Sequence, residues 1–435
     1  MILQVYNLVW TLFLVLSLPY LLWRSLIRRP LWKGLRDRMG FFPRMAEQRP
    51  LWVHASSVGE VFCALPLVKR IKTEFPEIPV VLSTMTATGK EAARKSLSEV
   101  AHFFYLPLDH PLFIRLAVRR LAPRLLLLAE TELWPNLLTI ASRKGVPIVL
   151  FNGRISNKSL RGYLLLRSLF RKALSSGSLF LMQSEVDRNR IVSIGAPFQK
   201  TRVTGNVKFD QSLSVLTEAE QMALLRSLGL TGNETLLIAG STHPGEEEIL
   251  LRVYKALKDH GPDLFLLLAP RHLRRLEEVE ALLEREGLRW VRRSTPASDQ
   301  GSGETDGRGR PRIILLDTLG ELKRLYALGT LVFIGGSLVP VGGHNPLEPL
   351  CFKKCVLFGP HMFNFAEISR ALVEAGGAMA VEGEGDLLSQ VNQLLSQERK
   401  RAEIGERGYQ FLMRHQGATE RVFREIKPLL AQERG

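Results

Sequence analysis

The sequence predicts an α/β protein with two open parallel sheets and an apolar helix in front of them. Three observations predict this. Continuously apolar runs such as Leu125–Ala129 and Leu264–Ala269 alternate with helix-length amphipathic segments, as strands buried on both faces of a parallel sheet do. The alternation loosens near Gly205–Leu216 and restarts at Thr235, which divides the chain into two domains. Residues 1–23 carry no charged side chain.

The first element follows from the third observation. As a helix, residues 1–23 span roughly 34 Å, about one bilayer core. Arg24, Arg28, Arg29, Lys33, Arg36 and Arg38 follow at once, and basic flanks stay cytoplasmic. The expectation is a single-pass membrane anchor over 1–29 with the body on the cytoplasmic side. A signal peptide would carry its positive charge before the apolar run and a small-residue cleavage site after it, and neither is present. Pro19 is placed to kink the helix, which keeps an interfacial anchor as the alternative.

In the first domain Leu51–His54, Pro79–Ser83, Phe103–Leu106, Leu125–Ala129, Val146–Leu150 and Leu179–Met182 read as strands. Helices are expected from Glu60 to Lys72, through Leu97, and over Pro111–Leu121. In the second domain Thr235–Ala239, Leu264–Ala269, Leu288–Val291, Ile313–Leu316, Leu331–Ile334 and Cys355–Phe358 read as strands, with helices over Pro244–Lys258 and Leu273–Arg285. Ser294–Arg312, rich in Gly, Ser, Asp and Arg, reads as a surface loop. Two such sheets hold ligands in the crevice at the strands' carboxyl ends.

The net charge of +16 calls for an anionic partner: nucleic acid, anionic lipid or a phosphorylated substrate. No recognised nucleic-acid module accompanies it. No acidic residue lies between Leu133 and Ser184, where Arg161, Arg167 and Arg171 interleave with Tyr163, Leu164, Leu165 and Leu166. That window reads either as a solvated basic face or as a surface for anionic lipid. Cys63, Cys351 and Cys355 cannot make a disulfide framework, and a lone pair spaced by four is more often core thiols than zinc ligands.

The residues able to carry chemistry lie where strands end. Gly335-Gly336 and Gly342-Gly343 flank a turn that runs into His344, Asn345, Pro346, Leu347 and Glu348. Glycine pairs let backbone N–H groups approach a phosphate, and a carboxylate in the following helical turn suits ribose hydroxyls. The plain alternative is a tight turn before a helix capped by Asn345 and begun by Pro346. Ser241, Thr242, His243 and Pro244 open a helix whose first turn holds three glutamates, either a good cap or an anion site. Arg271 and His272 follow an apolar strand, where the guanidinium can grip a phosphate or simply face solvent. Asp317 to Glu321 form another polar turn before a helix. In the first domain Glu60 stands after a small-residue turn at a strand end, the place of a general base. Glu130 and Glu132 end or follow another strand, and Lys208 lies at the inferred linker.

These stretches together resemble the 3-deoxy-D-manno-octulosonic acid (Kdo) transferases of lipopolysaccharide biosynthesis. The residues that carry the resemblance are H-A-S-S-V-G-E at 54–60, A-E-T-E-L-W-P-N at 129–136, N-G-R-I-S at 152–156 and G-N-V-K-F-D at 205–210. G-S-T-H-P-G-E-E at 240–247, P-R-H at 270–272 and G-G-H-N-P-L-E-P at 342–349 complete them. The resemblance implies a GT-B fold: an acceptor-binding Rossmann-like domain over 30–210 and a CMP-Kdo-binding one over 211–415, facing a cleft. It also implies a last helix, 416–435, packing back on the first domain. It implies transfer of Kdo, with inversion, from CMP-Kdo to a lipid A precursor (lipid IVA) at the anionic inner-membrane surface, with no metal or other cofactor and no nucleic acid. It puts the general base on Glu60 and transition-state stabilisers on Glu130 and Lys208. CMP contacts fall around Arg271, His272, Leu319, Gly320, Glu321, Asn345, Pro346, Leu347 and Glu348, with Ser241 and Thr242 beside them. A GT-B transferase using a UDP-sugar, or an anchored lipid-binding protein without activity, are the competing readings.

Overall fold

The computed structural model describes residues 2–27, 32–97, 99–210, 216–257, 264–295 and 312–431, with side chains at 18–33 outside the description. The loop expected over 294–312 and the start of the linker after Asp210 fall largely outside it. The chain forms two compact units, Met1–Asp210 with His415–Gly435, and Gln211–Arg414.

The first unit holds seven parallel strands: β1 Leu51–His54, β2 Val80–Thr84, β3 Val100–Tyr105, β4 Leu125–Ala129, β5 Ile148–Gly153, β6 Leu179–Met182 and β7 Thr201–Val203. Their order is β3-β2-β1-β4-β5-β6-β7, so the order reverses between β1 and β4. Every residue of β1, β2, β4 and β5 is buried, because helices cover both faces of the sheet. Helix Ala418–Ala431 is one of those covers. Val422, Phe423, Ile426 and Leu430 enter the core with Val61, Ala64 and Val68 of helix Val58–Glu74. Its start is fixed by Asp210, whose Oδ1 accepts the N–H groups of Gly417 at 2.6 Å and Ala418 at 3.3 Å, while Oδ2 accepts that of Thr419.

The second unit also holds seven parallel strands: β8 Thr235–Thr242, β9 Leu264–Pro270, β10 Trp290–Arg292, β11 Ile313–Leu315, β12 Leu331–Ile334, β13 Cys355–Phe358 and β14 Met379–Ala380. Their order is β10-β11-β9-β8-β12-β13-β14, and the reversal falls between β8 and β12. The short edge strands β7 and β14 carry too few residues for the apolar pattern to announce them.

The apolar N-terminal segment is a helix, Ile2–Ile27, that continues past Pro19. The expected transmembrane anchor is not supported as a span: among the described residues no helix is long and apolar enough to cross a membrane. Tyr6, Asn7 and Thr11 of this helix face the body instead. Tyr6 donates to Asp109 at 2.9 Å, Thr11 lies 3.2 Å from His110 Nε2, and Asn136 donates to Asn7 at 2.8 Å. Val5, Leu8, Val9, Leu12, Phe13, Val15 and Leu16 are left exposed.

Candidate active site

In open parallel sheets, ligands bind where the strand order reverses, at the strands' carboxyl ends. In the first unit that point lies between β1 and β4. Glu60 follows β1, and Glu130 and Glu132 follow β4. The helix after β1 starts at Val58 rather than Glu60, with Ser57 as its cap, so Glu60 sits in the first turn. Its carboxylate is pinned by the backbone N–H of Ser56 at 2.8 Å and the hydroxyl of Ser57 at 3.1 Å. Burial, with the Glu132 charge next in weight, pushes the Glu60 carboxyl up to about 8.

Glu130 takes a left-handed backbone conformation, φ 53°, at the end of β4. Its Oε1 lies 3.1 Å from the Lys208 ammonium and 3.6 Å from the Cys63 thiol. Lys208 therefore does not reach away from its own unit. It sits in the turn Val207–Phe209, placed by Asn152, whose side-chain carbonyl accepts the Val207 N–H at 3.1 Å. Burial acts to lower the Lys208 amine, but the nearby Cys63 and Glu130 outweigh it and hold it above the usual range.

In the second unit the predicted donor residues gather at the carboxyl ends of β8, β9, β11 and β12. The glycine-rich turn does not present free N–H groups. Those of Gly336, Ser337 and Leu338 all point at the buried carboxylate of Glu246, at 2.6, 2.9 and 2.8 Å. Those of Gly342 and Gly343 go to the Gly336 carbonyl. An internal glutamate thus fills the nest that a phosphate was expected to fill. Gly335 is required there because a Cβ would stand 2.4 Å from the Ser241 carbonyl oxygen.

Helix Glu246–Leu257 begins two residues later than expected, because its first glutamates turn inward. Thr242 is the last residue of β8, fully buried, and its hydroxyl is committed to Glu247 at 2.9 Å. Ser241 precedes it with φ 61°. The short helix after the second glycine pair is Leu347–Leu350, not one begun by Pro346. Its cap residue is Pro346 rather than Asn345, although Asn345 Oδ1 accepts the Leu347 N–H at 3.1 Å and its amide donates to Glu348 at 3.2 Å. Leu347 and Pro346 belong to the buried interior.

Arg271 and His272 are exposed after β9. Arg271 lies near enough to His344 and Glu348 to influence both. Burial, then Arg271, lowers His344 to about 3. Burial raises the Glu348 carboxyl, against Asn345, Lys323 and Arg271. His243 and His344 meet Nε2 to Nε2 at 2.8 Å with parallel rings, and the His272 ring meets His243 edge-on. Arg271, His272, Asn345 and Glu348 therefore form one cluster with His243 and His344, two histidines named in the sequence stretches but given no role of their own there. Leu319 and Gly320 lie on an exposed turn, and Glu321 is tied to Arg293 at 3.2 Å and to the Thr318 hydroxyl. Among the described residues no group of three or more His, Cys, Asp or Glu side chains could hold a metal ion.

Residues 33–211 match the family model described as 3-deoxy-D-manno-octulosonic-acid transferase (kdotransferase). The chain is 37% identical to the 3-deoxy-D-manno-octulosonic acid transferase of Haemophilus influenzae over 91% of each chain. It is 35% identical to that of Bordetella pertussis, over 88% of this chain and 87% of the relative. Among solved structures it is similar to Anabaena HepE in complex with UDP, with TM-score 0.56, 14% identity, and coverage of 88% and 100% of the two chains. A UDP-N-acetylglucosamine 2-epimerase matches with TM-score 0.55, 12% identity, and coverage of 91% and 99%. At those identities the structures speak for the fold alone, two Rossmann-like units of the GT-B kind.

Proposed function

The chain belongs to the Kdo transferase family of glycosyltransferases, and on that premise we propose that it moves Kdo from CMP-Kdo to the lipid A precursor lipid IVA, with inversion. The observation that carries this reading is a half-buried carboxyl, Glu60, fixed at the β1–β4 reversal beside the Glu130–Lys208 pair.

In this reading Glu60 takes the proton of the acceptor hydroxyl as its oxygen attacks the anomeric carbon of Kdo. The bond from that carbon to the phosphate oxygen breaks on the opposite side, and CMP leaves with the electron pair. General-base assistance of this kind contributes about 10²–10⁴-fold. Lys208 offsets negative charge that develops on the departing phosphate, and Glu130 fixes the ammonium in place. In the second unit Arg271 holds phosphate and Glu348 meets the ribose hydroxyls. The glycine turn shapes this wall without donating to phosphate, since Glu246 already occupies its N–H groups.

The membrane side of the proposal rests on surface chemistry. Helix Ile2–Ile27, which leaves apolar side chains exposed, lies beside helix Arg167–Leu174. Leu164, Leu165 and Leu166 are also exposed there, next to Arg161 and Arg167. Apolar side chains ringed by cations suit an anionic lipid surface, where the acceptor resides.

Incubation with CMP-Kdo and lipid IVA, followed by mass spectrometry of the lipid, tests the assignment. The expected product carries one or more added Kdo units. Thermal stabilisation by UDP and not by CMP would replace the reading with the UDP-sugar alternative.

A further inference from the structure

Two carboxyl groups share the β1–β4 site, and their surroundings treat them oppositely. The indole N–H of Trp134 donates to Glu132 Oε2 at 2.6 Å. Indole can only donate, so Glu132 is an acceptor there. The same oxygen faces Nε2 of His54 at 3.4 Å. His54 is fully buried, and its Nδ1 lies 3.0 Å from Ser83 Oγ and 3.1 Å from the Ser83 carbonyl oxygen. Ser83 Oγ already accepts the Trp52 indole N–H at 2.8 Å, which leaves its own proton free for His54 Nδ1. With Nδ1 held against Ser83, Nε2 is turned toward Glu132. The Ser56 hydroxyl supplies a third donor to Glu132, while the backbone N–H of the same Ser56 binds Glu60. One residue thus ties both carboxyls into a fixed arrangement.

We propose that Glu132, kept ionised by His54, Trp134 and Ser56, is a positioning residue whose fixed negative charge makes Glu60 a strong base. The proposal rests on the reading of Glu60 as the base. Burial acts against ionisation of Glu132, and the hydrogen bond and attraction of His54, with the hydrogen bonds from Trp134 and Ser56, overcome it and hold the group below its usual range. Glu60 responds in the other direction. Environments that drive two neighbouring carboxyls apart are how one site separates a base from a permanent anion.

Of the other groups around Glu60, Glu130 pushes the same way but with less weight than Glu132. Glu130 is paired with Lys208 at 3.1 Å. Cys63 is buried and its thiol is pushed up by that burial, so it stays neutral. Arg154 acts on Lys208, and Ser57 is uncharged. Among the charged groups acting on Glu60, Glu132 therefore carries the most weight.

The test is the pH dependence of kcat/KM for the full-length protein carrying Glu132→Gln. The rising limb is expected to move to lower pH by on the order of one unit, with donor KM unchanged. Glu132→Asp, which keeps the charge, is expected to leave the limb in place even where kcat falls. If the Gln variant does not fold, Glu132→Asn against Glu132→Asp makes the same comparison. A limb that stays put in the neutral variant, or moves equally in the charged one, overturns the proposal. Glu60→Gln serves as the separate control. Retained turnover there removes the base assignment itself, whereas an inactive Glu60→Gln beside an unmoved limb removes only the role of Glu132.

Discussion

Lys208 and Glu130, from well-separated stretches of the first unit's sequence, meet at 3.1 Å, Nζ to Oε1. Replacing Lys208 by Met is expected to lower kcat about 10²-fold, in line with removing one stabiliser of developing charge. Donor KM should change little. Asn152→Ala, which frees the Val207 N–H and with it the turn that carries Lys208, should lower kcat in the same direction by a smaller factor. Steady-state kinetics on folded variants decide this, and normal kcat in Lys208→Met removes the ammonium from the chemistry.

The Glu60 carboxyl gives the rate and the stability opposite pH responses. A base must be ionised, so kcat/KM should rise with pH through about 8. The folded state holds this proton more tightly than the unfolded chain does. The stability it contributes is therefore fully present below the ordinary glutamate range and is lost as pH rises through about 8. Glu60→Gln should raise the melting temperature relative to wild type above pH 8 and leave it unchanged near pH 4. Differential scanning calorimetry at the two pH values reads the sign directly.

Glu246 fills the backbone nest of Gly336, Ser337 and Leu338. A glutamine there turns an amide toward one of these N–H groups and leaves it unsatisfied, at a cost of about 1–3 kcal/mol. The loss should appear as a lower denaturant midpoint of the second unit, larger than that for substituting the half-buried Glu248.

Asp210 accepts three N–H groups at the start of helix Ala418–Ala431. Asp210→Ala should cost about 0.5–2 kcal/mol, the range for lost N-caps. Ending the chain at Gln416 should do far more, since Val422, Phe423, Ile426 and Leu430 leave the core of the first unit. Urea unfolding of the two variants separates these magnitudes.

The proposed membrane face predicts that replacing Leu8, Leu12 and Leu165 by Glu lowers co-sedimentation with anionic vesicles. Vesicles of neutral lipid should bind the wild type more weakly than anionic ones. Unchanged sedimentation of the triple variant would move the docking surface elsewhere.

Much of the scaffold was legible from Leu125–Ala129 and its counterparts. A strand buried on both faces must be continuously apolar, and helices between such strands must be amphipathic, so the alternation dictates two parallel sheets. Glu60, Arg271 and Glu348 were legible as strand-end residues for the same reason. The terminal helix Ala418–Ala431 has an apolar stripe, but its seat on the first unit depends on Asp210, a contact far away in sequence.

What lay beyond local pattern was the partner of each polar group. Residues 246–248 read as a helix start, yet Glu246 reaches across to the glycine turn and closes it. Lys208 read as a linker lysine, yet the Val207–Phe209 turn lays it on Glu130. His54 and Glu132 are ordinary residues in the sequence and become a pair only when β1 and β4 lie side by side. The sequence by itself determined the fold class and the strand ends where chemistry can occur, because burial writes a periodic apolar code. Only the tertiary structure decided which carboxylates stay ionised and which N–H groups remain for a ligand. Those outcomes depend on long-range hydrogen bonds and local burial, which leave no periodic mark in the chain.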